Sequence, residues 1–485
     1  PAPVQAPAPV QAPAPVQAPA PVQAPAPVQQ PAPAIPADNG EPLAFDVAGA
    51  GESEPRVFAH YFPPYPVSID NADPQSDYYA RNYLEPAGEK GKHLAYGGLL
   101  RDRPLSRQPL AGDWKGADLL TEVDQAASAG IDGFFVDILS LDGANWDRTV
   151  DLMEAAGASQ HDFVVAPQLD ATASAGRASA STVASRMAQL AGMPAAYRLS
   201  SGEFVLSAFK AEKLPVSWWR EVLRILEDVH GVDTVFMPVF LDLSHMEEFA
   251  PISYAVGNWG VRNPDLALAG PDYAARAHAL GLRFIAPVAV QDVRPNQGVY
   301  WESANLGTLR ATWSRAIEDG ADFVVLNTWN DYSESTSFAP SMAHGYTFLD
   351  VNAYYATQFK TGRAPEIARD AIYLTHRTQP YAATPTLSHE LMSLLDGART
   401  PALDQVEVQT FFTAPAAVTV QIGSVTHTYT APAGVNVASF PLVTGDVQAS
   451  ATRAGLSIGV ADSPDPVTSR PDNQDLQYYA TGSRR

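Results

Sequence analysis

Between Thr328 and Glu334 the chain reads TWNDYSE, the densest group of reactive side chains in its 485 residues. Two carboxyl groups, Asp331 and Glu334, stand three residues apart beside the amide of Asn330 and the rings of Trp329 and Tyr332. A protonated carboxyl can give its proton to a leaving oxygen while an ionised one activates water or attacks, and glycosidic cleavage needs both. Aromatic faces suit the apolar faces of sugar rings. D-x-x-E is a common spacing, and either residue could instead cap a helix. The segment that follows, SESTSFAPSMAHGY, reads as loop, which disfavours the cap.

The elements that must position this group are legible as apolar runs. Eight occur, at 57–62, 131–139, 163–170, 204–209, 234–242, 252–259, 284–292 and 323–330. Each is nearly continuous in hydrophobic residues, the pattern of parallel strands covered on both faces. Between them, amphipathic stretches at 117–129, 146–156, 183–190, 218–229, 273–280 and 306–317 predict helices. Gly130, Gly157, Gly192, Gly231, Gly281 and Gly320 are expected as their C-terminal caps. The fold class is therefore α/β, a (β/α)8 TIM barrel. A doubly wound open sheet is the competitor, but no Gly-rich phosphate loop follows the first strand.

Active sites of such barrels lie at the carboxyl ends of the strands. We expect Asp331 and Glu334 to be catalytic. Sugar contacts are expected from His60, Tyr61, Asp137, Asp170, Asn258, Trp259, Gln291, Asp292, Trp301, Trp329, Asn330 and Tyr332. Gln168, Lys210, Glu212 and Asp242 also fall at strand ends, and Tyr65, Trp114, Trp146 and Tyr300 in loops or strand ends. Trp218, Trp219 and Trp313 fall in helices and read as core. Helix capping suits Asp142, Asn145 and Asp272, and a hydrogen-bonded structural histidine competes with substrate contact at His60.

Composition excludes other chemistries. A net charge of −22 and a pI near 4.7 oppose binding to nucleic acid phosphates or anionic lipid, whereas a neutral substrate fits. No apolar run approaches the ~20 residues that span a bilayer. With no cysteine there is no disulfide scaffold, zinc–thiolate site or thiol nucleophile. Neither H-E-x-x-H nor G-x-S-x-G occurs, so no metal or other cofactor is expected. Lys210 alone could serve Schiff-base chemistry.

Of the 42 prolines, 13 fall in residues 1–36, which locates the excess in five PAPVQA-type repeats closed by PAPAIP. This charge-free tract favours polyproline II, about 110 Å long at ~3.1 Å per residue. It reads as a stalk or a linker. The expected domains are a disordered repeat at 1–40, a barrel at 41–385, and an antiparallel β-sandwich with tail at 386–485. Beyond residue 385 we expect a short helix at 388–395, strands at 405–412, 417–422, 427–430, 435–441 and 447–451, and a loose tail from Asp462 except at 476–480. The sandwich could bind carbohydrate or merely pack on the barrel. Pro1 opens the chain without a leader, so a processed or trimmed product is expected, its signal peptide outside it.

VFAHYFPPYP at 57–66, AGIDGFFVDIL at 129–139 and NTWNDYSES at 327–335 resemble glycoside hydrolase family 71, with HRTQP at 376–380 similar to its bacterial branch. The resemblance spans 56–380, without the repeat or the β domain. It implies a secreted, monomeric α-1,3-glucanase (mutanase) acting on α-glucan by inversion, on a barrel with an appended β-sandwich. Carried over, its acids match Asp331 and Glu334, with Glu334 as general acid and Asp331 as base. The chain departs from the family pattern at Asp137, Asn258, Ser333 and Thr336, which puts subsite contacts in question more than the reaction. A glycosidase for another α-linked polymer such as mannan, or a non-catalytic sugar-binding surface protein, are the alternatives.

Overall fold

The computed structural model describes residues 42–49, 56–85, 87–92, 94–96, 102–387, 389–395 and 400–484; the proline-rich repeat lies outside them. Eight parallel strands close a barrel: β1 (Arg56–Tyr61), β2 (Gly133–Ile138), β3 (Val164–Asp170), β4 (Phe204–Phe209), β5 (Thr234–Phe240), β6 (Ala255–Asn258), β7 (Arg283–Val288) and β8 (Phe323–Leu326). Closure comes from β8 pairing with β1, with Arg56 opposite Phe323 and Ala59 opposite Leu326.

Side chains alternate across these strands, which explains two separate cores. Phe58, Phe135, Ala166, Val205, Met237, Ala255, Ile285, Phe323 and Val325 fill the barrel interior. Their neighbours, such as Val57, Ala59, Phe134 and Val136, face the surrounding helices. Asp113, Ser179 and Asp272 each cap a helix by accepting a hydrogen bond from the backbone three residues on; of the other expected caps, Asp142 makes no side-chain cap bond and Asn145 lies inside the helix Gly143–Ala158. Gly130, Gly231, Gly281 and Gly320 end helices in the left-handed region, as caps do. Gly157 instead lies inside the helix Gly143–Ala158, and Gly192 ends its helix with φ −78°.

The second unit is a sandwich of two four-stranded antiparallel sheets. One runs 434–441, 405–412, 371–376, 479–482; the other 425–431, 416–422, 447–453, 456–462. Val406, Val408, Val418, Val420, Val447 and Ala449 form its core. Three expectations are corrected. Strand Ala371–His376 precedes residue 385 yet hydrogen-bonds into the sandwich, so chain from both sides of that boundary builds it. Residues 389–395 are not helical; Ser393–Leu394 pairs as a strand with Val299–Tyr300. Order in the tail reaches beyond the expected 476–480: Gln474 and Asp475 are also buried, and the strand Tyr479–Gly482 pairs with Ala371–His376.

Gly133 tests the strand packing. A Cβ there would meet Val164 O at 2.3 Å and the Phe58 ring at 3.0 Å, and the backbone oxygen cannot yield cheaply. Gly133→Ala is expected to cost about 1–3 kcal/mol, read as a lower urea midpoint by far-UV circular dichroism. An unchanged midpoint contradicts this packing.

Candidate active site

The alternation that fills the barrel also selects what reaches its mouth. Two residues beyond Phe58, Phe135, Ala166 and Val205 stand His60, Asp137, Gln168 and Ser207, all buried. Ser207 Oγ donates to the carbonyl of Met237 at 2.8 Å, so it accepts from Gln168 Nε2 at 3.0 Å. That leaves Gln168 Oε1 to accept from His60 Nδ1 at 2.7 Å. The chain of bonds ends on a backbone carbonyl, which can only accept, and it therefore fixes the tautomer. His60 carries its proton on Nδ1 and presents a bare Nε2 to the mouth, where the ring meets Trp259 edge-on at 4.9 Å. Burial, aided by the nearby Arg262 charge, lowers the His60 pKa to about 4.

Carboxyl groups crowd the same space. Asp137 Oδ2 lies 3.9 Å from His60 Nε2, and its buried Oδ1 has no hydrogen-bond partner in the protein. Burial first, then the charges of Asp170 and Asp331, push Asp137 well above the usual carboxylate range. Past β8, Asp331 is held by its own loop: its N–H donates to Thr328 Oγ1 at 2.9 Å, and its Oδ1 accepts from Ser333 N at 3.1 Å and Ser333 Oγ at 2.7 Å. Burial raises Asp331, while the Ser333 hydrogen bond and Arg294 oppose that rise.

Glu334 sits against a cation that is already engaged. Arg294 donates to both oxygens of Asp292 at 2.6 Å and reaches Glu334 Oε2 at 3.1 Å. Arg262 Nε lies 3.6 Å from Asp292 Oδ2. Burial, then Asp331 and Asp292, push Glu334 up to about 8 against the pull of Arg294 and Arg262. The site thus holds one carboxyl biased toward its protonated form beside another whose local hydrogen bonds favour the ionised form.

The structure brings together at the mouth His60, Asp137, Asp170, Trp259, Asp292, Asp331 and Glu334. Asp170 Oδ1 also ties down Thr172 through its N–H and hydroxyl. Half-buried Trp301 lies beside Asp292, its N–H donating to the Asp292 carbonyl at 2.9 Å. Other expected contacts are corrected. Tyr61 is one residue out of phase with His60 and packs outward on Phe134. Trp329 is fully buried against Phe134, and its Nε1 donates to Glu122 Oε2 at 3.2 Å. Tyr332 is buried beside Tyr79. Asn330 clamps the loop after β1, accepting from Phe62 N and donating to the carbonyls of Phe62 and Tyr65. Gln291 binds the backbone of Tyr478 rather than the mouth. Asn258, also out of phase, lines a separate cavity of about 280 Å³ with Tyr273 and Phe284.

Sequence reasoning missed Arg294, Arg262 and Glu122. Glu122, buried on the helix Trp114–Ser128, accepts from Trp329 and from Val67 N, and so joins the loops after β8 and β1. Its only signal is a carboxylate among the apolar positions of that helix. Arg294 lies in the two-residue strand Val293–Arg294 and Arg262 in an irregular loop, and neither segment has enough regular structure for periodicity to point to it.

Buried carboxyl groups crowded at the mouth of a parallel barrel, with the Trp259 ring against His60, are the kind of site found in glycoside hydrolases. The model of Glycosyl hydrolase family 71 matches residues 110–481, and the chain belongs to that family. The match begins after β1, so the motif at 57–66 lies outside it. It runs on through the sandwich, correcting the expectation that the likeness stops at residue 380. Glucan endo-1,3-alpha-glucosidase agn1 of Schizosaccharomyces pombe is 24% identical over 348 residues, 67% of this chain and 80% of that protein. The GH99 endo-alpha-mannosidase from Bacteroides thetaiotaomicron superposes with a TM-score of 0.50 at 13% identity, covering 64% of this chain and 98% of that one. At that identity the likeness concerns the fold alone.

The fixed tautomer has a direct test. His60 is expected to stay neutral down to about pH 4, with its proton on Nδ1. Nitrogen-15 NMR of labelled protein, assigned with His60→Gln, reads both. Titration near the ordinary value of ~6.5, or a proton on Nε2, contradicts the bonded chain through Gln168 and Ser207.

Proposed function

We propose that this glycoside hydrolase cleaves α-1,3-glucosidic bonds within α-glucan chains, with inversion of configuration. The observation that carries the mechanism is the different support of the two carboxyls: Asp331 Oδ1 accepts two hydrogen bonds from Ser333, whereas Glu334 meets only the Arg294 guanidinium that Asp292 already engages. Glu334, raised by burial and by its carboxylate neighbours, gives its proton to the leaving oxygen. Asp331, with Oδ1 engaged by Ser333, takes a proton from the attacking water. Once Glu334 has lost its proton, Arg294 at 3.1 Å stabilises the new carboxylate. His60 Nε2 accepts a sugar hydroxyl, and Trp259 lies along the ring.

Support for the linkage comes from family membership and from the name of the fission-yeast relative. A net charge of −22 costs nothing against an uncharged polymer. A polymer too large to enter a cell requires the enzyme outside it, so secretion belongs to the same reading, as does action by a single chain.

Reducing-sugar release from insoluble α-1,3-glucan, with α-mannan and other α-glucans alongside, tests the substrate. Proton NMR of the first products should show β-anomeric ends, and α ends overturn inversion. Glu334→Gln and Asp331→Asn should each lower kcat by about 10²–10⁴-fold while the fold persists. Because the acid must be protonated, activity is expected at pH values below the Glu334 pKa and lost as pH rises through about 8. An alkaline limb unrelated to Glu334 defeats the assignment of roles.

A further inference from the structure

The C-terminal segment runs back to the barrel and fastens two mouth loops with two consecutive residues. Gln477 Oε1 accepts from Ser335 Oγ at 3.0 Å, directly after Glu334. Tyr478 N donates to Gln291 Oε1 at 2.8 Å, directly before Asp292, and Gln291 Nε2 donates back to the Tyr478 carbonyl. The two loops also touch each other, since Val293 N donates to the Glu334 carbonyl at 2.8 Å. Both Gln477 and Tyr478 are buried.

The segment is itself rigidly held. Arg377 Nε donates to the Leu476 carbonyl at 2.9 Å, and its guanidinium lies 4.3 Å from the centre of the Tyr478 ring. Glu302 receives both Arg377 Nη2 at 2.9 Å and the Tyr478 hydroxyl at 2.6 Å. Strand Tyr479–Gly482 then enters the sandwich sheet. Apolar side chains would suffice for a tail that merely covered the barrel. Here a buried amide meets a serine held at φ 54°, a conformation that needs an outside restraint in a residue other than glycine.

We propose that Gln477 is a positioning residue for Glu334, acting through Ser335, and that the sandwich is thereby part of the catalytic apparatus. The proposal rests on Glu334 being the general acid. Restraining Ser335 fixes where the Glu334 carboxyl stands relative to Asp331 on its own loop, Asp292 and Arg294 on the loop after β7, and Arg262 after β6. Those four groups and burial set its ionisation, so a released loop changes both its aim and its pKa.

The test compares Gln477→Ala, Ser335→Ala and the double variant in the full chain. Ser335→Ala removes one oxygen from the far end of the bond and leaves the tail's packing intact, which guards against a Gln477 variant that fails to fold. Thermal melting of each variant verifies folding. Each single variant should lose kcat by on the order of 10²-fold, with KM little changed and the alkaline limb displaced. The double variant should lose no more than the worse single one, because both act through one bond. Additive losses, an unchanged kcat, or a change in KM alone overturn the proposal. If the wild type releases nothing from α-1,3-glucan, the substrate reading alone falls. Carbon-13 titration of Glu334 in the wild type and in Gln477→Ala then decides, and an unmoved midpoint overturns the strut.

Discussion

Crowding of carboxyl groups in a desolvated space governs the mouth of this barrel. Asp137, Asp292, Asp331 and Glu334 converge there with two guanidinium groups among the described residues, Arg262 and Arg294, to offset them. Like charges in low dielectric cannot all persist, so protons are retained on the groups with least hydrogen-bond support. Asp292 is bound bidentately by Arg294. Asp137, whose buried Oδ1 has no protein partner, and Glu334, which shares Arg294 with Asp292, take the upward shift. The protonation bias of Asp137 and Glu334 is thus a product of packing.

The same constraint gives His60 its character. A charged imidazole would relieve the carboxylates, yet burial and Arg262 hold it neutral. Its hydrogen-bond chain to the Met237 carbonyl crosses three barrel strands and costs no charge. A neutral acceptor beside a carboxyl biased toward its protonated form offers a sugar hydroxyl both an acceptor and a donor.

The barrel was legible in the sequence because eight apolar runs buried on both faces leave little else to form. Most of the mouth was legible too, since strand ends are short and polar residues there are few. Errors at Tyr61 and Asn258 came from treating a strand end as a point, when alternation sends adjacent residues to opposite sides. His60 at the mouth places Tyr61 among the helices by that rule alone. Trp329, Asn330 and Tyr332 were misread for another reason. The aromatics and amide of the TWNDYSE segment hold the loop in place through Glu122, Phe62, Tyr65 and Tyr79, and its carboxyls alone are left for chemistry. Arg262 comes from a loop and Arg294 from a two-residue strand, both placed by tertiary contacts, and no local pattern marks them.

Composition understated the order of the tail outside 476–480, since Asn473–Tyr478 has few apolar side chains with which to pack. What orders it is satisfaction of buried polar groups: Arg377 and Glu302, both almost wholly buried, need partners that only Leu476, Tyr478 and neighbouring backbone supply. Burying that ion pair without them would be costly. The chain therefore returns to the barrel to complete a network, and in returning brings Gln477 to Ser335. A sandwich tethered to the barrel by apolar contact alone could shift without consequence for Glu334. One joined through a shared polar network is coupled to the barrel, and the family match at 110–481 takes in both barrel and sandwich.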